Sequence, residues 1–117
     1  MKKALASFVI FAVIGTSCTS LHSTTNIKAQ DSFILGNNEH GQFSVKLKNA
    51  STSNVEIWEA PVAGGRHSQV TVKPNETVKV KVDKNTALRI ENKSSEEQAA
   101  VELHVKGDTG LSMGYKN

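Results

Sequence analysis

Four histidines offer this sequence its most versatile chemistry, and three of them, His40, His67 and His104, fall near strand-like segments. Glu39 adjoins the first, and Glu102 stands two residues before the third. In a strand, residues two apart share a face, so Glu102 and His104 offer two metal ligands side by side. A catalytic zinc takes three protein ligands and a structural one four. The spacing supplies no third, so neither a metal nor any other cofactor is expected. Hydrolytic chemistry has less support still. There is no G-x-S-x-G elbow, and no nucleophile–base pair can be drawn from a motif, so the chain reads as non-catalytic. Gly64-Gly65-Arg66 and Gly107-Asp108-Thr109-Gly110 do not lead into helices, as a phosphate loop must. They read as turns.

Binding is the other possibility. Trp58 is the only tryptophan. With Val55 and Ile57 turned inward, strand alternation places it on the opposite face, close to the Gly64-Gly65 loop. An indole there could stack on a sugar ring or anchor an envelope protein, with Arg66 as its companion and Tyr115 a weaker one. Trp58 and Arg66 are therefore the candidate contact residues for a glycan or protein partner. The competing expectation, and the favoured one, is packing, because a bulge or a one-residue slip turns the indole into the core.

A second candidate is the run of cations Lys73, Lys79, Lys81, Lys84 and Arg89. These suit an acidic polysaccharide, a lipid head group or an anionic protein. They also suit the plainer task of keeping sheet edges from aggregating, with Glu56, Glu59, Glu91 and Glu102 as offsets. The charge balance favours the plainer task. Of 14 basic residues, Lys2 and Lys3 belong to the N-terminal basic segment, and the rest face 11 acidic ones. Near neutrality gives no electrostatic reason to seek nucleic acid. Asn49, Asn75 and Asn92 begin N-x-Ser/Thr triplets, but these residue types are what turns require in any case.

The elements that would position these residues are strands. Gln69–Asn92 alternates through Val70 and Val72, then Val78, Val80 and Val82, then Leu88 and Ile90, with Pro74-Asn75-Glu76 and Asp83-Lys84-Asn85 as turns. The same period runs through Phe43, Val45 and Leu47, through Val101, Leu103 and Val105, and through Leu111, Met113 and Tyr115. Ser32–Leu35 is a short first strand. No segment carries helical periodicity over ten residues. About eight short strands at regular spacing predict an all-β fold, a small antiparallel β-sandwich of Ig-like topology or, as the alternative, a jelly roll. A lone cysteine leaves the fold to its apolar core.

The N-terminus carries an address. Met1-Lys2-Lys3 is basic, Ala4 to Gly15 is uncharged and apolar, and small residues follow, as in a secretory signal. The run is too short for the 20 or so residues of a membrane span. The segment Gly15-Thr16-Ser17-Cys18 resembles the processing site of bacterial lipoprotein precursors, although Gly15 stands where an aliphatic residue is usual. The resemblance implies lipidation of Cys18 as the new N-terminus. The expected organisation is a signal peptide over 1–17, a flexible polar tether over 18–31 and a β-sandwich domain over 32–117. The expected role is non-catalytic binding or scaffolding in the bacterial cell envelope, held to the membrane through Cys18 or, if the signal is simply cleaved nearby, for instance after Ser17, periplasmic or secreted, and without nucleic acid. A carbohydrate-binding accessory domain built on Trp58 is the alternative, and a metal-binding or hydrolytic protein the second alternative.

Overall fold

The computed structural model describes residues 20–116. The signal segment and Cys18 lie outside the described residues. Nine strands follow in order: β1 (Ser20–Ile27), β2 (Ser32–Leu35), β3 (Phe43–Asn49), β4 (Val55–Pro61), β5 (His67–Val72), β6 (Thr77–Val82), β7 (Thr86–Asn92), β8 (Ala99–Gly107) and β9 (Met113–Tyr115). The fold is all-β: two antiparallel sheets, of order β1-β8-β3-β6 and β9-β2-β7-β4-β5, pack face to face. Among the described residues there is no helix.

The pairing has a simple logic. β4 and β5 form a hairpin, and outward from it β3 pairs with β6, β2 with β7 and β1 with β8. Alternate rungs of this long folded ribbon go to alternate sheets, which is the jelly-roll arrangement. Of the two topologies expected, the structure has the alternative. An Ig-like order needs neighbouring strands of the chain to pair in both sheets, whereas here β4 and β5 are the only consecutive pair among the described strands. Period-two patterning fixes which face a strand buries and is silent about its neighbours.

The interior holds the expected aliphatic set. Phe43, Val45, Leu47, Val101, Leu103 and Val105 of one sheet meet Val55, Ile57, Val72, Leu88 and Ile90 of the other, all essentially without solvent exposure, and Phe33 and Leu35 of β2 join them. The edges depart from expectation. Val70 and Met113, both expected inside, are 42% exposed, because β5 and β9 are the outermost strands of the five-stranded sheet and overhang the narrower one. Val78 and Val80 of edge strand β6 are half-buried against the core.

The largest correction falls within the expected tether, 18–31. Of that segment Ser20–Ile27 is β1, paired with β8 from Ile27↔Ala99 to Ser20↔Lys106, while 18 and 19 lie outside the described residues. Its inward residues are Leu21, Ser23, Thr25 and Ile27, so small hydroxyl side chains occupy positions where the pattern looks for large apolar ones. Ser23 and Thr25 satisfy each other's hydroxyls at 2.9 Å, which removes the cost of turning them inward. Ile27 is fully buried, and its carbonyl accepts from Asn92 Nδ2 at 3.0 Å.

Two of the N-x-Ser asparagines explain themselves here. Asn49 and Asn92 are 0% exposed and close the ends of β3 and β7. Asn49 Nδ2 donates to the carbonyls of Ser53 and Val72, and Asn92 Nδ2 to those of Ile27 and Glu97. Each Oδ1 accepts from the backbone N–H two residues on. They are internal clamps between loops and sheets.

Candidate anion-binding face

His40, His67 and His104 do not converge. His40 is buried, its ring nitrogens 2.6 Å from the Gly41 carbonyl oxygen and 2.9 Å from that of Thr86. That position is structural. Glu39 beside it is exposed. His67 opens the outermost strand β5, opposite Glu59. His104 lies on the outer face of the four-stranded sheet, and its companion there is His22, which a tether would have left in solution. The two imidazoles sit directly opposite on neighbouring strands and stack, with centroids 3.8 Å apart and planes 24° from parallel.

The register builds the rest of this face. One row crosses all four strands as His22, His104, Lys46 and Lys79. The row on one side is Ser20, Lys106, Ser44 and Lys81; that on the other is Thr24, Glu102, Lys48 and Thr77. Five lysines and two histidines thus share one surface with a single carboxylate, Glu102. Strand spacing puts neighbouring positions about 5–7 Å apart. At about 6 Å two lysine charges repel by roughly 0.7 kcal/mol even in water, and a bound anion relieves that repulsion several times over. Two shallow depressions flank the His104–Lys46 pair. One, of about 440 Å³, is lined by His22, Thr24, Lys48 and Glu102, and the other, of about 190 Å³, by Ser44, Lys79 and Lys106.

The electrostatics act on His104. Its burial, and then the neighbouring His22, Lys106 and Lys46, hold its pKa below the ordinary histidine value. Among the described residues no group of three or more His, Cys, Asp or Glu side chains could hold a metal, so the Glu102–His104 pair gains one histidine and no further ligand.

Trp58 and Arg66 occupy the other sheet. The outward register is as expected, since Trp58 pairs with the outward Arg89. A bulge lies here, with Ser68 and Gln69 of β5 spanning the place of one residue on β4, and Ser68 has a φ of 55°. Trp58 is nonetheless only 5% exposed. The Arg66 guanidinium carbon lies 4.0 Å from its ring centroid and that of Arg89 4.7 Å. The ring is therefore buried by cations over the outer face and not by rotation into the core. Beside this cluster, Lys93 lies 3.6 Å from Glu56 and 3.9 Å from Glu91, both partly buried. The outer face of the five-stranded sheet is thus charge-paired where the other is not. Tyr115 is half-exposed, edge-on to Phe33, and donates to the Asn26 carbonyl at 2.8 Å.

The first glycine loop completes the turn of the β4–β5 hairpin, with the Gly64 N–H donating to the Pro61 carbonyl; the second was expected to be a hairpin turn too, but Gly107 ends β8 and the chain then crosses irregularly to β9 in the other sheet. In the second, the Asp108 carboxylate accepts from the backbone N–H of Gly41 at 2.6 Å and of Gly110 at 2.8 Å. These bonds, aided by His40, hold its pKa below the ordinary carboxylate value against the opposing effect of desolvation. Of the cations grouped in the sequence, Lys79 and Lys81 join the basic face, Arg89 covers Trp58, and Lys73 and Lys84 sit in turns. Lys46, Lys48 and Lys106 were missed because they come from strands distant in sequence. Comparison with family models, with curated proteins and with solved structures finds no match for this chain.

Proposed function

We propose that this protein is a non-catalytic binding module of the bacterial cell envelope, exported, lipid-anchored at Cys18, and engaging an anionic partner through the outer face of its four-stranded sheet. One observation carries the reading: Lys46, Lys48, Lys79, Lys81 and Lys106 share a face whose sole carboxylate is Glu102. A near-neutral domain that segregates its charge in this way has a local field that steers an anion. The test has two arms. Mass spectrometry of the mature chain should find a lipid-modified Cys18 at the N-terminus; an unmodified start further downstream removes the anchor. Retention on a sulfated polysaccharide resin, eluted by salt, should fall in a Lys46→Gln/Lys79→Gln/Lys81→Gln variant. Equal retention of variant and parent removes the binding face.

A second reading, glycan recognition by Trp58 and Arg66, is favoured by a different observation. Trp58 Nε1, Arg89 Nε and Glu91 Oε1 are buried without hydrogen-bond partners on one sheet face. Sugar hydroxyls that displaced Arg66 would supply partners for them. Glycan-array binding that survives the lysine changes and disappears in Trp58→Ala would favour this reading over the first.

A further inference from the structure

We infer that the basic face is a membrane-docking surface that lies on the anionic phospholipid headgroups around the protein's own anchor. The inference rests on the proposed reading and names its partner. Its second observation is the first strand. Ser20 is already in β1, and in the sequence only Thr19 stands between it and the attachment point at Cys18. Two residues reach at most about 8 Å between Cα atoms, so a lipid on Cys18 holds the start of β1 at the bilayer surface. The row of side chains at that end of the sheet is Ser20, Lys106, Ser44 and Lys81, and the next is His22, His104, Lys46 and Lys79. The cations begin where the anchor enters.

Charge complementarity selects the occupant. An anionic leaflet attracts basic groups held within a Debye length, about 8–10 Å; the short link brings the near edge of this face, Ser20 beside Lys106, into that range, and laying the sheet flat brings in the lysines of β3 and β6. The charge-paired outer face of the other sheet, with Lys93 between Glu56 and Glu91, has no such attraction. The lipid supplies retention and the sheet supplies orientation: it lies lysine-side down, and the opposite face with Trp58 looks away from the bilayer.

The experiment is flotation of the mature chain with vesicles of phosphatidylcholine alone and of phosphatidylcholine mixed with phosphatidylglycerol. Each lysine near an anionic surface is worth about five-fold in partitioning. The Lys46→Gln/Lys79→Gln/Lys81→Gln variant should therefore lose on the order of 100-fold of the preference for anionic vesicles. A Lys73→Gln/Lys84→Gln variant, with cations removed from turns off the face, should keep it, and high salt should abolish it. Circular dichroism confirms that both variants are folded. Indistinguishable partitioning of parent and triple variant overturns the inference. If the triple variant loses retention on the polysaccharide resin while vesicle preference is unchanged, the binding face stands and the membrane as its partner falls. A mature N-terminus downstream of Cys18 also overturns the inference.

Discussion

Replacing Asn92 by alanine tests whether residues 20–27 are a strand of the fold, on which the position of His22 and the shortness of the link to Cys18 both depend. Asn92 is fully buried and makes three hydrogen bonds: Nδ2 to the Ile27 carbonyl at 3.0 Å, Nδ2 to the Glu97 carbonyl at 2.7 Å, and Oδ1 from the Ser94 N–H at 3.0 Å. Ile27 is itself fully buried, so its carbonyl loses a partner that water cannot readily replace. The Glu97 and Ser94 groups lie nearer solvent and recover part of their loss. At about 1 kcal/mol per net bond the expected cost is about 2–3 kcal/mol. For a domain near 100 residues that corresponds to a fall in Tm of roughly 10–20 °C. Asn92→Asp should be worse than alanine, because a carboxylate would face two carbonyl oxygens with no proton to give. Urea denaturation should show a lower midpoint at unchanged slope for both variants, and hydrogen exchange should show the β1 amides deprotected first. A shift below about 0.5 kcal/mol, the size of an ordinary surface change, would refute this account of the clamp. So would β1 amides that exchange freely in the parent protein.

The pH response of the basic face follows from His104, which faces His22 on β1, Lys46 on β3 and Lys106 and Glu102 on its own strand. Its folded pKa is depressed, so its contribution to stability is present above the unfolded value and is lost as pH falls through the folded one. An anion that neutralises the neighbouring lysines raises that pKa, so binding takes up protons and tightens as pH drops below about 6.5. NMR titration of the imidazole with and without inorganic phosphate checks both signs, and a pKa unmoved by phosphate contradicts the coupling. Trp58→Phe should cost less than about 1.5 kcal/mol, since Nε1 has no hydrogen bond to lose, whereas Trp58→Ala should cost about 3–5 kcal/mol; equal costs by denaturation would argue against packing as the role of the ring. Gly64 and Gly107 share a φ of +102°, but an added Cβ meets nothing within 4 Å at Gly64 and lies 2.9 Å from the Gln42 carbonyl oxygen at Gly107. Alanine at 64 should cost only the backbone strain, about 1–3 kcal/mol, and alanine at 107 distinctly more, as thermal melts of the two variants would show.

Much of the fold was legible because alternation is a local property. Phe43-Val45-Leu47 and Val101-Leu103-Val105 bury the residues that their own sequence marks. β1 was not legible, because an edge strand can turn Ser23 and Thr25 inward once their hydroxyls are paired, and no window of sequence reveals that pairing. The covering of Trp58 was half legible: its outward register could be read, but the placement of Arg66 over it depends on the bulge in β5.

The sequence by itself determined that the chain is a β-sandwich with a core of aliphatic side chains and that its lysines point outward, since period two assigns every strand residue to one face or the other. It also determined the small net charge. Only the tertiary structure decided which outward residues are neighbours. Jelly-roll pairing sets β3 between β8 and β6 and lays β1 against β8, which gathers five lysines and two histidines from four separated segments onto one surface. It leaves Glu56 and Glu91 with Lys93 on the other. A sum of charges is indifferent to position, whereas the field at a surface falls off within about 10 Å, so the same near-neutral composition yields one basic face and one charge-paired face once the strand order is fixed.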